Sequence, residues 1–491
     1  MKKHKNIMIQ GTGSSVGKTL IVAGLCRIFA QDGYRVSPFK SQNMALNSFV
    51  DIEGLELSRG TVIQAEAGYE IPRAFMNPIL LKPNSDNNSQ VIINGKVAYT
   101  ADAKTYFSNS KELKKIALET YKNNIENNFD IAVLEGGGSP AEVNLREYDL
   151  VNMGMAELVD SPVILVGNID IGGVFAAIYG TVMLLNEKDR KRIKGYIINK
   201  FRGDSDLLKP AIKILDKKFK DESLDITFLG VLPYVDLKIE EEDSLSDEDK
   251  KVYSDDKKYI NISIIKTKKM SNFTDFHAFK QYDDVRVRYI YDVKDLEDED
   301  IIIFPGSKNT ITDLEDLKKR GIFEKVKELK EKGKIIIGIC GGLQMLGKKI
   351  YDLKHLESDI LETEGFNFFD YKTTFDETKK TEQVIKKIDV TEGILKDFNG
   401  YEIKGYEIHQ GVTNILTPII CKDNVFATYI HGIFDNSKFT NNFLNIIRRK
   451  KNMPEQKEIL SFNEFKEREY DKLAKLLREN LDIKEIYKIL G

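Results

Sequence analysis

The sequence predicts two doubly wound α/β domains on one chain of 491 residues. Three observations carry that reading. Short β-branched apolar runs alternate with helical stretches through both halves, the rhythm of parallel sheets covered on both faces. A stretch over 237–258, KIEEEDSLSDEDKKVYSDDKK after Leu237, interrupts that rhythm once. Each half also contains a strand-turn-helix junction in which glycines surround a reactive side chain. At roughly 150 residues per domain the length allows two to four domains. The expected boundaries are an N-terminal domain over 1–236, a charged linker over 237–258, a second domain over 259–441 and a helical extension over 442–491.

Composition narrows the function classes. Acidic residues (77) nearly balance basic ones (74), so no global charge argues for nucleic acid. Three cysteines, Cys26, Cys340 and Cys421, are too few for a disulfide framework or a zinc site and favour a reducing compartment. MKKHKNIMIQ runs into a strand without an apolar region long enough for secretion. The most apolar stretch, Ser161 to Leu185, is broken by Asn168, Asp170 and four glycines, which predicts strand, loop and helix instead of a membrane span. A soluble cytoplasmic protein is expected.

The first strand, Asn6 to Gln10, opens into Gly11-Thr-Gly-Ser-Ser-Val-Gly-Lys-Thr19, and Leu20 to Ala30 follows with helical period. This is a phosphate-binding loop between strand and helix. Backbone N–H groups around Gly13, Val16 and Gly17 form an anion cradle, Lys18 reaches the terminal phosphates, and the Thr19 hydroxyl suits Mg²⁺. Thr12 stands where the strict pattern has glycine. Further strands are expected at Asp130–Leu134, Pro162–Val166, Tyr196–Ile198 and Ile226–Leu232, with ligands at their carboxyl ends. Polar groups fall there: Glu135 in LEGGG, placed to hold Mg²⁺; Asp170 in NIDIGG; and Asn199 in NKFRGD, placed to read an adenine edge. In the loop Lys40-Ser-Gln42-Asn43-Met-Ala-Leu-Asn47, the lysine suits charge on a transferring phosphoryl group and the amides suit a polar substrate.

In the second half, strands are expected at Tyr259–Ile265, Val287–Ile290, Asp300–Phe304 and Val425–Ile430. The run KIIIGICGGLQMLG, 334–347, places Cys340 at a sharp strand-to-helix turn, with Gly341 and Gly342 after it and backbone N–H groups that favour a thiolate. The Pro-Gly turn after Phe304 offers Gly306 as an oxyanion donor. Of five histidines, His431 in ATYIHGIF ends a strand and is the expected base. Leu473, Leu476, Leu477 and Leu481 have the spacing of surface helices.

The elbow around Cys340, the Pro-Gly turn and His431-Gly together resemble a class I glutamine amidotransferase domain with a flavodoxin-like sheet. That likeness implies attack of the cysteine on the glutamine amide, release of ammonia, and a glutamine-holding role for Gln344 beside Gly306 and Gly341. Most members carry a glutamate two positions after the histidine, where this chain has Ile433, so Glu407 and Asp435 become the candidates for orienting His431. The N-terminal half resembles dethiobiotin-synthetase-like ATPases. The combination is most similar to the cobyric acid synthase family, carried most specifically by PFKSQNMALNSF (38–49) and also by MNPILLKP (76–83), EGGGSPAEVNL (135–145), SNFTDF (271–276) and GYEIH (405–409). In place of the family's usual DIDRGG this chain has NIDIGG, leaving Asp170 as the acid with no arginine at Ile171; Glu56 matches a metal-binding acid by position. The resemblance implies amidation of four peripheral carboxylates (b, d, e, g) of adenosylcobyrinic acid a,c-diamide in cobalamin biosynthesis, driven by ATP and Mg²⁺, without a tightly bound prosthetic group. Its partners would be the corrinoid, glutamine and ATP, with no nucleic acid and no membrane. The alternatives are the sister a,c-diamide synthase and a nucleotide-switch ATPase with a degenerate amidotransferase domain.

Overall fold

The computed structural model describes residues 4–83, 88–240, 258–297, 299–457 and 460–491. Most of the expected charged linker, 241–257, lies outside them. The chain divides into two compact units. The first comprises Met1–Ala45, Glu56–Asp243 and Lys466–Gly491, and the second Leu46–Leu55 and Ser244–Phe465. The C-terminal stretch 442–491 is thus shared between the units, and ten residues of the N-terminal half count with the second.

The first unit is built on a six-stranded sheet in the order Thr227–Pro233, Ile193–Phe201, Val163–Asn168, Lys5–Gly11, Ile131–Glu135, Val36–Phe39. All neighbours are parallel, with Met8 opposite Val163 and Ile9 opposite Glu135. Strands buried on both faces need unbroken apolar runs, which is why IAVL and VILV read so clearly. One face packs Phe39, Leu134, Leu165 and Phe219, and the other packs Ile7, Val22, Phe29 and Val133. Leu473 and Leu477, from the helix Phe462–Asn480, complete the second layer. The strand Val36–Phe39 was not expected, because Pro38 lies inside it. It sits at the sheet edge, where a missing N–H costs no ladder bond on the outer side.

The second unit has its own six-stranded sheet, ordered Val285–Ile290, Ile260–Ile265, Ile301–Phe304, Ile335–Ile339, Val425–Thr428, Ile419–Lys422. It is parallel except for the last pair. The strand that ends at Cys340 lies between the two that lead to Gly306 and His431, with Phe304 opposite Gly338 and Thr428 opposite Ile339. Three distant segments therefore end side by side. A separate four-stranded sheet includes the long antiparallel pair Lys372–Lys387 and Glu402–Thr413. Among the described residues no helix is long and apolar enough to cross a membrane.

Candidate active sites

Cys340 sits between the strand Ile335–Ile339 and the helix Gly341–Leu346 with φ of 53°, a left-handed conformation that strains a residue bearing a Cβ. The tightness of the turn is set by Gly342, where a Cβ would lie 2.0 Å from the Phe304 carbonyl oxygen. The Cys340 N–H donates to Thr428 O at 2.9 Å, and its thiol points at Ile408 O, 3.6 Å away.

His431 is buried beside it. Its Nδ1 lies 2.7 Å from Asp275 Oδ2, while Asp275 Oδ1 accepts the Gly432 N–H at 3.0 Å. The ring's remaining hydrogen bond is with Cys340. Burial lowers the imidazole pKa, but the Asp275 carboxylate and then Cys340 outweigh it and raise the value to about 10. The arrangement is an imidazolium between a carboxylate and a sulfur nucleophile, able to hand a proton to a leaving amine.

The orienting carboxylate is therefore neither Glu407 nor Asp435. Burial raises the pKa of Glu407, yet His409 at 3.3 Å and Lys380 at 2.6 Å hold it at about 2. Asp435 lies in the turn that follows, its N–H donating to Gly432 O. Ile433, at the position where a glutamate was expected, is fully buried in the core. Asp275 lies in the short helical segment Phe273–Gln281, 156 residues before His431. Its only sequence signal is an acid within the aromatic stretch NFTDF.

The backbone of His431 is fixed as firmly as its ring. Tyr406 exchanges two backbone hydrogen bonds with it, at 2.8 and 3.1 Å, and stacks on the imidazole with centroids 5.2 Å apart. The Tyr406 hydroxyl donates to Ser48 O at 3.1 Å and accepts from Asn272 Nδ2 at 3.2 Å. Asn47 Oδ1 accepts the Phe273 N–H, so the end of the PFKSQNMALNSF stretch supports the segment carrying Asp275. In that stretch Lys40 was expected to stabilise a transferring phosphoryl group and the amides to hold a polar substrate.

Gly306 and Gly341 flank the cysteine. A side chain at Gly306 would begin 3.4 Å from His431 Cε1, and one at Gly341 would begin 2.7 Å from the Ser307 nitrogen. Gln344 is buried, its carbonyl accepting from Thr310 Oγ1 at 3.0 Å and its amide donating to the Tyr429 hydroxyl at 3.3 Å.

In the first unit the loop after Lys5–Gly11 leads to Gly17, with φ of 96°, at the N-terminus of the helix Lys18–Gln31. Lys18 Nζ donates to Gly13 O at 3.0 Å and Gly138 O at 3.3 Å. Glu135 is 2% exposed and gathers the surrounding polar groups. Its Oε1 accepts from Thr19 Oγ1 at 3.1 Å and Lys40 Nζ at 3.0 Å, and its Oε2 from Gln64. A hydroxyl and a carboxylate are hard oxygen donors of the kind that suits Mg²⁺. Glu56 is ion-paired with Lys82 at 2.5 Å. Among the described residues no three His, Cys, Asp or Glu side chains gather as a metal site.

Asn199 braces the loop, its Nδ2 donating to Val16 O at 2.8 Å and its Oδ1 accepting the Lys200 N–H. Asp170 lies beyond the strand Val163–Asn168, with Arg202 Nε 3.4 Å away, so a guanidinium reaches it even though the next residue is Ile171. Gln42 accepts from the Tyr106 hydroxyl at 2.6 Å, and Asn43 is buried. A cleft of about 350 Å³ beside the loop is lined by Thr12, Gly13, Ser14, Gly138, Ser139 and Ala177.

Two family models match the chain. Residues 7–245 match a CobQ/CobB/MinD/ParA nucleotide binding domain and residues 261–439 a CobB/CobQ-like glutamine amidotransferase domain. Full-length relatives include a cobyric acid synthase of Clostridium novyi, 48% identical over 100% of this chain and 98% of that protein. Another, from Clostridium botulinum strain Loch Maree, is 46% identical over 99% of both chains. A third, from Alkaliphilus metalliredigens, is 48% identical over 98% of this chain and 99% of its own.

Proposed function

Because the chain belongs to the cobyric acid synthase family, we propose that it amidates the b, d, e and g carboxylates of adenosylcobyrinic acid a,c-diamide, using ATP and glutamine, to give adenosylcobyric acid. The observation that carries this reading is the pairing of an assembled Cys340–His431–Asp275 site with a phosphate-binding loop on one chain.

At the first site Cys340 attacks the carboxamide carbon of glutamine, with the developing oxyanion met by backbone N–H groups of the Gly306 and Gly341 segments. The C–N bond breaks as His431 gives its proton to the departing ammonia, leaving a glutamyl thioester on Cys340 that water then hydrolyses to glutamate and the free thiol. Asp275 keeps Nδ1 occupied so that Nε2 faces the reaction. Gln344, held by Thr310 and Tyr429, lines the glutamine pocket.

At the second site Lys18 and the loop N–H groups hold the ATP phosphates. Thr19 and Glu135 would hold Mg²⁺, which supplies charge neutralisation at the β- and γ-phosphates. Lys40, ion-paired with Glu135 at 3.0 Å, stabilises charge in this reading as the γ-phosphoryl passes to a corrinoid carboxylate. Ammonia then displaces phosphate, leaving the amide. A carboxylate needs this activation because it is a poor electrophile. The three cysteines are free thiols, in keeping with a cytoplasmic enzyme.

The test is mass spectrometry of the product after incubation of the a,c-diamide with ATP, Mg²⁺ and glutamine. Four added amides support the proposal; none would point to the sister a,c-diamide synthase.

A further inference from the structure

We infer that Asp313 is a positioning residue for glutamine hydrolysis: its carboxylate clasps the turn that carries Gly306 to the segment that leads to Asp275, holding the oxyanion donors and the acid–base pair in one geometry. The inference rests on the glutaminase reading of the Cys340 site.

The Gly306 turn is secured by a very short ribbon. Gly306–Ser307 runs antiparallel to Met270–Ser271, with Ser271 opposite Gly306 and Met270 opposite Ser307. The Lys308 N–H extends the pairing by one bond, to Lys269 O at 2.9 Å. So few residues on each strand do not hold a register unaided.

Asp313 supplies the missing hold. Its Oδ2 accepts from the Ser307 hydroxyl at 2.6 Å and its Oδ1 accepts the Lys269 N–H at 3.2 Å, so each strand is gripped by one oxygen. Ser307 Oγ in turn accepts the Asn309 N–H at 3.0 Å. The carboxylate is buried, which removes water as a rival partner for those donors. Asp313 lies in the first turn of the helix Thr310–Lys319, where an acid is ordinarily a cap or a partner for the helix dipole. Here Asn309 is the cap, its side chain accepting the Thr312 N–H at 3.2 Å. Both Asp313 oxygens are directed to the ribbon instead.

Each strand of the ribbon leads to the reacting atoms. On one side, the Ser307 nitrogen lies 2.7 Å from where a Cβ on Gly341, the residue after the nucleophile, would be. A Cβ on Gly306 would lie 3.4 Å from His431 Cε1. On the other side, Ser271 runs through Asn272 into the segment Phe273–Gln281, whose Asp275 meets His431 Nδ1 at 2.7 Å. A slip of the ribbon therefore shifts the oxyanion turn and the acid relative to each other. Displacement of a preorganised donor by about an ångström is enough to forfeit much of its effect.

The test reads Asp313→Ala and Ser307→Ala in the full chain, with ATP and the corrinoid present, against glutamine and against glutamate γ-semialdehyde. The Cys340 sulfur adds to the aldehyde carbon, and the carbonyl oxygen becomes the oxyanion that the turn must hold. Comparing proteins at one pH cancels the fraction of the aldehyde that is cyclised. In Asp313→Ala, kcat for glutamine hydrolysis should fall roughly 10- to 100-fold while KM changes less than about threefold. The inhibition constant of the aldehyde should rise by about the factor that kcat falls, because both report the stabilised oxyanion. Ser307→Ala should show the same signature, and the double variant should stay within about twofold of Asp313→Ala because the two substitutions break one shared hydrogen bond. Asp313→Asn, which can accept from Lys269 and donate to Ser307 Oγ, should recover most of the loss. A rise in KM without a fall in kcat, an unchanged aldehyde constant, or fully multiplicative effects of the two substitutions would overturn the inference. Alkylation of Cys340 by iodoacetamide, which needs no oxyanion, and ammonia-dependent amidation should stay within about twofold of wild type. Where Asp313→Ala loses both through misfolding, Ser307→Ala carries the decision, since it removes a single hydroxyl. Failure of the wild type to hydrolyse glutamine counts against the underlying glutaminase reading instead.

Discussion

Asp275 holds His431 at two points, accepting from the imidazole Nδ1 at 2.7 Å and from the Gly432 N–H at 3.0 Å. One buried carboxylate thus fixes both the tautomer of the base and the backbone that carries it. Asp275→Asn keeps the shape but presents an amide whose N–H can face Nδ1, which favours the wrong tautomer. Glutamine hydrolysis should fall roughly 100- to 10,000-fold in kcat, measured as glutamate released. Ammonia-dependent amidation should stay within about twofold of wild type. A parallel loss of both would make Asp275 a structural residue only.

The same pair sets a pH dependence of stability. The His431 pKa is raised above its ordinary 6.5 to about 10, so the folded state binds the proton more tightly than the unfolded one. That stabilisation is complete below about pH 6.5 and disappears as the pH rises through about 10. Wild type should therefore melt above Asp275→Asn by roughly 5 °C at pH 6, with the gap narrowing steadily towards pH 10. Thermal denaturation of both proteins across that range checks the sign; a gap that widens with pH contradicts it.

How much of this was legible in the sequence depends on whether the signal is local. Lys18, Thr19 and Cys340 sit in motifs whose glycines, reactive side chain and helix start are contiguous, so their placement could be read directly. Glu135 was legible because it ends an apolar strand. Asp275 was not, because its partner is 156 residues away and its own segment is a short helical turn without period. Glu407 and Asp435 were the expected candidates for orienting His431, and packing brings Asp275 to the ring instead. Glu407 is claimed by Lys380 and His409. Asn199 shows the converse: a strand ending at Ile198 was expected, but the strand runs on to Phe201 and carries Asn199 within it, its amide donating to the Val16 carbonyl. The strand Val36–Phe39 was hidden by Pro38, a residue tolerated there only because the strand is at an edge.

The phosphate loop allows a steric prediction. Gly17 has φ of 96°, and a Cβ there would lie 2.2 Å from Asn199 Nδ2. Gly17→Ala suffers both backbone strain and a clash with the residue that braces the loop. The KM for ATP should rise at least about tenfold, read from the ATP dependence of phosphate release. Adding Asn199→Ala removes the clash but not the strain, so the double variant should recover only part of the loss. Full recovery would assign the whole effect to the collision.

The division of labour between the sites predicts opposite signatures for two single substitutions. Cys340→Ser replaces the sulfur nucleophile with a hydroxyl that is far weaker at neutral pH, while leaving the Gly342 contact and the Thr428 hydrogen bond to the backbone in place. Glutamine-dependent amidation should be lost, by roughly 1,000-fold or more, whereas amidation supplied with free ammonia should persist at near wild-type rate. Lys18→Ala removes the cation that bridges Gly13 O and Gly138 O in the loop and, in the proposed mechanism, holds the terminal phosphates. It should abolish amidation with either nitrogen donor while leaving Cys340 open to alkylation by a glutamine-like chloroketone. Activated carboxylate is needed whatever the source of nitrogen, so ammonia cannot rescue the lysine variant. If Cys340→Ser also loses the ammonia-dependent reaction, the two chemistries are not separable in the way the sites imply. If Lys18→Ala retains it, phosphoryl transfer does not depend on this loop.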